Sequence, residues 1–585
     1  MFRIRDLNKL FSLFVISSIP LFGGELSCND LAKRVHRHLV IKDVDSAIQD
    51  AKAFIQKHPD SIELQLAYLE ALCQKGEEVE AFEQFTLLSQ QKQQTINQKL
   101  VSEWLAWGVL SKGKESTLPM VRLYSLLGAA FTQDARALPI FLKELRGSNS
   151  LLRSLAAQLV THYGDEPLQQ ELLRLLKEEP VWFVKLEVIR SLGALRVKQA
   201  KKTLSDIVAN PRSLSEERAS AMIALVSMYD CLQEQELEGL IASNRAGLRH
   251  LASELIAYFS AKERADYLIP LLKDDAPAVR VSAMSTLGLL GIREIKGIPT
   301  LEYIKENLTS PVPEVSIAAG WLAARIGHQE GIDTLNKWMG QDRIEYKRIS
   351  AAAIAGAGPS ASLLAVQLMQ KEKDPYIQAT FAMGLIRQRK EVSVATDVLF
   401  RVFSSSQEEL WMWQENMCPM FRHLAPSKVE YIEEVPSYPK VVDGLVKLEV
   451  LSYLTIIGHP KALNAVKGFL GSHEWGVTGA AAATLLEEGG EEAFALIRQL
   501  LKDPDENIKV QAALILAMFR HDPEATHVLM QSYVKADRDR KIHILEALGR
   551  IKDPRIASFL LQVLEEPFQG LRVVAASSLI QYLNQ

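Results

Sequence analysis

Residues 271–291 read LLKDDAPAVRVSAMSTLGLLG. Leu271-Leu272 closes one apolar segment, Asp274 opens a turn that reaches Pro277, and a second apolar segment carries Val279, Arg280, Ala283 and Leu287. Spacings of three and four put these positions on one side of a helix. Proline near a helix start costs little, because the N–H it lacks would have been unpaired there anyway. The stretch therefore reads as a turn between two helices. The second helix bears a basic residue near its start and a small one at its centre.

The pattern recurs. Clean copies hold Leu152-Arg153, Val184-Lys185, Leu248-Arg249, Val446-Lys447, Ile508-Lys509 and Leu571-Arg572. Degenerate ones hold Glu217-Arg218, Val315-Ser316, Lys347-Arg348, Ile377-Gln378, Val477-Thr478 and Arg540-Lys541. Successive copies stand 30–36 residues apart, except for a gap of 69 between Gln378 and Lys447 that leaves room for one disguised repeat. About fourteen units then run from near residue 118 to residue 585. A unit of about 31 residues cannot bury its own apolar face, so neighbours must stack into a solenoid. Small central residues such as Ala283, Ala319, Ala351, Ala481, Ala512 and Ala575 let adjacent helices approach closely.

These units resemble HEAT repeats, in the short variety also found in bilin-lyase-type proteins, over about 80% of the chain. The resemblance implies an all-α, right-handed α-solenoid (an ARM/HEAT-type superhelix) of about fourteen helix pairs. An open stack with about 8–10 Å per helix layer would run on the order of 120–140 Å along its path. An acid lies six residues before the basic one in Glu179/Lys185, Asp274/Arg280, Asp342/Arg348, Asp503/Lys509 and Glu566/Arg572. By the same resemblance these residues form a structural ladder that bridges consecutive repeats. The ladder is incomplete, since Gly147 and Lys535 take the acid's place before Arg153 and Lys541. Residues 25–117 differ. Pro59, the run Ile62 to Leu72, Gly76, Ala81 and Phe85 resemble a tetratricopeptide repeat, with Ala47 to Ile55 fitting the second helix of an earlier one. A divergent helical cap for the solenoid is the alternative.

Composition narrows the function. The 585 residues include 67 basic and 71 acidic side chains, a net charge of −4, which argues against a general nucleic-acid binder. The four cysteines, Cys28, Cys73, Cys231 and Cys418, show neither a CxxC nor a disulfide framework. Arg3, Arg5 and Lys9 precede a short apolar run from Leu10 to Phe22, and Gly23-Gly24 follows. This is the layout of a secretory signal peptide over residues 1–24, with cleavage expected after Gly24 or Ser27. The run rises only about 20 Å as a helix, too short to span a hydrocarbon core of about 30 Å. Elsewhere no stretch approaches 18 uninterrupted apolar residues, so no stable transmembrane span is expected in the mature chain. Cys28 invites a lipoprotein reading, but Glu25 stands where a lipobox requires an apolar residue.

Catalytic patterns fail on inspection. Gly108 to Lys114 imitates a P-loop, yet Glu115 replaces the hydroxyl that would hold Mg²⁺, and the segment reads as an inter-helix loop. Gly356-Ala-Gly358-Pro reads as a turn. HEAT-repeat iron hydroxylases resemble this fold and use several His-Glu pairs, whereas only His473-Glu474 stands here. No metal ligands, cofactor or catalytic residues are therefore assigned. The basic stretch Arg190, Arg196, Lys198, Lys201 and Lys202 reads as a solvated coat, with anion binding the alternative.

Between residues 404 and 440 the period breaks. The segment holds Trp411, Trp413, Tyr431 and Tyr438, the candidate binding residues, because Trp and Tyr anchor interfaces and solenoid insertions lie on binding faces. The alternative is a degenerate repeat whose aromatics fill irregular packing. HEAT-type repeats thus occupy 118–403 and 441–585. The expected function is a non-catalytic, protein-binding scaffold or assembly factor, exported to the periplasm or cell envelope. A lyase-like enzyme acting on a protein-bound prosthetic group, or a cytoplasmic adaptor, are the alternatives. N-terminal sequencing of the natively made protein is expected to begin at Glu25 or Cys28; an intact Met1 or Phe2 would sink export.

Overall fold

A computed structural model describes residues 27–91, 97–405, 410–414, 423–427, 438–471, 476–487, 491–520 and 522–585. The chain is an all-α solenoid. Four helices open it as two antiparallel pairs, Cys28–Val40 with Val44–Lys57 and Ile62–Lys75 with Glu78–Gln91. The helix Gln98–Gly113 follows and packs on Ile62–Lys75.

From there, outer and inner helices alternate. The inner helices are Pro119–Thr132, Ser150–Leu159, Trp182–Ala194, Ser215–Met228, Ala246–Tyr258, Pro277–Leu290 and Pro313–Arg325. The series continues with Ile344–Ala357, Pro375–Arg387, Tyr438–Ile457, Val477–Glu487, Glu506–Arg520, Arg538–Leu548 and Gln569–Leu583. These are fourteen among the described residues, but the fourteenth is not where the spacing put it. The gap of 69 residues holds one elongated repeat, with outer helix Val392–Ser405, a short β-hairpin and inner helix Tyr438–Ile457. The additional unit is Pro119–Thr132, whose Arg122 stands 31 residues before Arg153.

The expected ladder is present in part: Glu179, Asp274 and Glu566 pair with a base of the preceding repeat, whereas Asp342 and Asp503 face Ser316 and Thr478 at that position and form no ion pair among the described residues. Arg153 Nε and Nη2 donate to Glu179 Oε2 and Oε1 at 2.9 and 2.8 Å, while Nη1 donates to the Gly147 carbonyl at 2.9 Å. Arg249 repeats this with Asp274, at 2.5 and 2.8 Å, and with the Ser243 carbonyl at 2.9 Å. Each base therefore pairs with the turn acid of the next repeat, and with the carbonyl of the residue six before itself. The acid also orders the turn into the following inner helix, since Glu179 accepts the Val181 N–H and Asp274 accepts the Ala276 N–H. Arg348 with Asp374 and Lys541 with Glu566 add further rungs.

The solenoid is not open-ended. Gln569–Leu583 packs on both Gln98–Gly113 and Pro119–Thr132. An internal inner helix such as Pro313–Arg325 packs the same way on the next outer helix, Gln329–Met339, and the next inner helix, Ile344–Ala357. The pair Gln98–Gly113 and Pro119–Thr132 thus sits where the successor of the last pair would be. Arg572 completes the circuit: its Nη1 donates to the Glu566 carbonyl at 2.9 Å, and its Nη2 donates to Glu78 Oε2 at 2.9 Å. Glu78, from the N-terminal helices, takes the role of the next repeat's acid. Ser116 Oγ donates to Gln569 Oε1 at 3.1 Å, and the Arg550 guanidinium lies 5.6 Å from the centre of the Phe131 ring.

Close approach at the seam requires glycine. A β-carbon at Gly113 would lie 2.8 Å from Val573 Cγ2, and one at Gly128 would lie 2.7 Å from Ser577 Cβ. The residues that imitate a P-loop are accordingly the last turns of a helix rather than a loop. Residues 573–580 are all buried, two full turns enclosed on every side.

Two outcomes are expected. Gly128→Leu should part the seam, raising the radius of gyration in small-angle scattering while preserving helical content; an unchanged scattering curve would refute closure in solution. The second concerns the rungs. Burial raises the carboxyl pKa of Glu179 and of Asp274, but the arginine and backbone N–H groups outweigh it and hold both below the ordinary value. Their stabilisation is then full above a pH of about 4.5 and lost as pH falls through the depressed values. Arg153→Ala should destabilise its region by about 3 kcal/mol at neutral pH, since it strands a buried carboxylate, and by much less near pH 3.

Candidate functional site

Counting forward from each base locates the inner face. Positions five and nine residues on lie on one side of the inner helix, away from the outer layer. The nine-residue row includes Phe131, Tyr258, Leu289 and Ile456, all large and exposed. Ile223, at a five-residue position, is 74% exposed.

Four recesses lie along this face. One of about 430 Å³ separates Pro375–Arg387 from Tyr438–Ile457 and is lined by Met383, Ile386, Trp413, Tyr453, Ile456 and Ile457, among others. A second, of about 570 Å³, lies between Ser215–Met228 and Ala246–Tyr258. A third, of about 380 Å³, spans three inner helices from Gly476 to Arg550. The fourth, of about 460 Å³, is polar and gathers Arg325, Arg387 and Gln388 around Gly356 and Gly358. Burial, together with the Arg387 charge, holds the Arg325 guanidinium below its ordinary pKa. Its Nε and Nη1 donate to the Gly288 and Gly356 carbonyls.

The described strands of the irregular segment form a wedge in the wall. Strands Trp411–Gln414 and His423–Pro426 pair antiparallel, and pack on Tyr438–Ile457 and Pro375–Arg387 respectively. They occupy the seam where two inner helices would otherwise meet. Trp411 is fully enclosed, with ring centres 4.3 Å from Tyr376 and 4.6 Å from Phe403, and its backbone N–H donates to Asp443 Oδ1 at 2.9 Å. It is a core residue, and the expectation that it binds a partner is corrected: no surface of it is left to offer. Trp413 remains partly exposed in the first recess, with its indole N–H donating to Glu449 Oε2 at 2.6 Å. Tyr431 lies outside the described residues, as does His473-Glu474, and Tyr438 begins the inner helix.

The basic stretch is largely paired within the chain. Lys198 pairs with Asp230, Lys201 with Glu236 at 3.1 Å, and Arg190 with Glu187 at 3.2 Å. Among the described residues no three His, Cys, Asp or Glu side chains converge as metal ligands. Sequence reading missed Phe131, Ile223, Tyr258 and Ile456. The nine-residue offset of Phe131, Tyr258 and Ile456 from the ladder base, and the five-residue offset of Ile223, were the available signals.

The fold and this face define a repeat scaffold of stacked helix pairs. Residues 494–580 match the HEAT repeats family, and the same pair geometry continues on both sides of that segment. No curated protein matches the chain. Among solved structures it is similar to the karyopherin Kap121p bound to the SUMO protease Ulp1p, at 12% identity over 98% of this chain and 80% of that one, TM-score 0.32. Kap95p in complex with RanGDP gives 10% identity over 98% and 87%, TM-score 0.31. Human deoxyhypusine hydroxylase in complex with glycerol gives 14% over 44% and 96%, TM-score 0.22. The family match covers residues 494–580, and the repeats before it are similar to that segment in helix pairing and in the ladder.

Trp411→Ala should cost about 3–5 kcal/mol locally by opening a cavity. Hydrogen exchange should then accelerate in the hairpin and in Tyr438–Ile457. Trp413→Ala should leave that exchange close to wild type, and equal effects of the two changes would overturn the core assignment.

Proposed function

We propose that the protein is a non-catalytic scaffold or assembly factor exported to the bacterial envelope, and that it holds a protein partner against its inner-helix face. One observation carries the reading: the exposed apolar row of Phe131, Tyr258, Leu289 and Ile456 lies on a single face, the one on which the recesses open. Tyr258, Leu289 and Ile456 each border one of these recesses, so exposed apolar surface and concavity coincide, the combination that marks interaction sites. Among the described residues no helix is long and apolar enough to cross a membrane.

Closure shapes how a partner would reach the face. Fourteen inner helices at about 9–10 Å spacing, laid out as a flat circle, would enclose an opening on the order of 30 Å. That is the width of a small domain, so an extended segment or a slender domain enters without parting the seam. The proposed export rests on the charged start and apolar run of residues 1–24.

Crosslinking pull-down from the native cell tests both halves. Wild type should enrich a defined protein that Phe131→Asp combined with Tyr258→Asp loses, from an exported fraction. Recovery of no protein partner would end the scaffold reading and turn attention to small ligands; retention in the cytoplasm would end the export half.

A further inference from the structure

The ladder has places where its acid is missing. Six residues before the next repeat's basic position stand Glu179, Asp274 and Glu566 in paired repeats, but Ser243 after Arg218 and Ser310 after Arg280. Among the described residues neither Arg218 nor Arg280 forms a close ion pair, although Arg280 still acts on the Asp274 carboxylate through space; the Nε of each is enclosed without a hydrogen bond, as it is at Arg348 and Arg572. The Ser243 carbonyl is already taken by Arg249 Nη1.

Arg218 lines the cleft of about 570 Å³ between Ser215–Met228 and Ala246–Tyr258, whereas Arg280 does not. The rest of that lining is largely apolar, with Met222, Ile223, Val226 and Tyr258. Ile223 is the most exposed of them. The acid in the cleft, Glu254, is engaged: it bonds His250 Nε2 at 3.2 Å and accepts from Ser282 Oγ at 2.9 Å. The site therefore combines an apolar slot large enough for one or two big side chains with a cation whose internal partner has been replaced by serine.

We infer that this cleft docks a segment of the protein partner in which a large apolar side chain neighbours an Asp or Glu. The apolar group seats against Met222, Ile223 and Tyr258. The carboxylate pairs with Arg218 and supplies from outside the rung that this repeat lacks. Charge complementarity selects the occupant: a basic segment would meet an unpaired guanidinium, and a purely apolar one would leave it buried without a counter-charge. The inference rests on the scaffold reading and refines it to one place and one chemistry.

Random dodecapeptides displayed on phage and selected on the full-length protein provide the probe. Enriched peptides should combine Leu, Ile, Phe or Met with a nearby Asp or Glu. Arg218→Ala and Ile223→Asp should each weaken a selected peptide by about tenfold or more, with Arg218→Lys retaining part of the affinity. Arg280→Ala, at the vacant rung whose guanidinium does not line the cleft, should leave binding unchanged. Replacing the peptide's acid by its amide should add nothing further in the Arg218→Ala background, the signature of a direct pair. Melting curves that match wild type would exclude misfolding as the cause. Peptides that lack acids, or that bind both variants like wild type, would overturn the cleft while leaving the scaffold reading intact. So would a long-chain fatty acid that co-purifies with wild type and is absent from Ile223→Asp in native mass spectrometry, or a dimer that Ile223→Asp dissociates. Failure of any peptide to enrich would likewise end the cleft proposal, while the native pull-down decides the scaffold reading separately.

Discussion

A helix pair of about 30 residues cannot bury its own apolar face, and each element of this structure can be traced to how that surface is covered. Internal repeats cover one another. The ends of a solenoid have no neighbour and ordinarily need polar caps. Here Gln569–Leu583 carries Leu571, Val573, Val574, Leu579 and Ile580 on several sides at once, so no single neighbour could satisfy it. It is enclosed by its own outer helix, the preceding repeat and the pair Gln98–Gly113 and Pro119–Thr132. Meeting of the ends is thus the same hydrophobic requirement that stacks the middle, applied where the sequence runs out of repeats.

The ladder gives that stacking its register. Apolar contact between helices is tolerant of sliding, whereas a bidentate arginine–carboxylate pair is not. Arg153 and Arg249 each clasp the next repeat's acid while holding a carbonyl of their own turn, and so fix the rotation between neighbours. Glu78 shows that the acid need not come from a repeat at all: what matters is a carboxylate at the right place beside Arg572. Where serine replaces the acid, register is left to packing, and at Arg218 the neighbouring inner helices are separated by a cleft.

The irregular hairpin illustrates the limits of composition as a guide. Trp411 and Trp413 are two residues apart in one strand, yet one is sealed between Tyr376 and Phe403 and the other borders a recess. Aromatic side chains suit both a core and an interface, because both demand large apolar area. Neighbouring elements decide between these uses. The exposed row of Phe131, Tyr258 and Ile456 carried a clearer signal, a constant offset from the ladder base. It went unread because apolar residues on repeat helices are ordinarily core.

By itself the sequence determined the repeat length, the alternation of outer and inner helices, and the basic and acidic positions of the ladder. These depend on local periodicity and turn chemistry, which are short-range properties. What only the tertiary structure decided was which groups meet across hundreds of residues or across an irregular insertion: Arg572 with Glu78, Ser577 with Gly128, Trp411 with Asp443. Small rotations between repeats accumulate around the solenoid, and whether their sum brings the ends together is a property of all the interfaces at once. No local stretch encodes it.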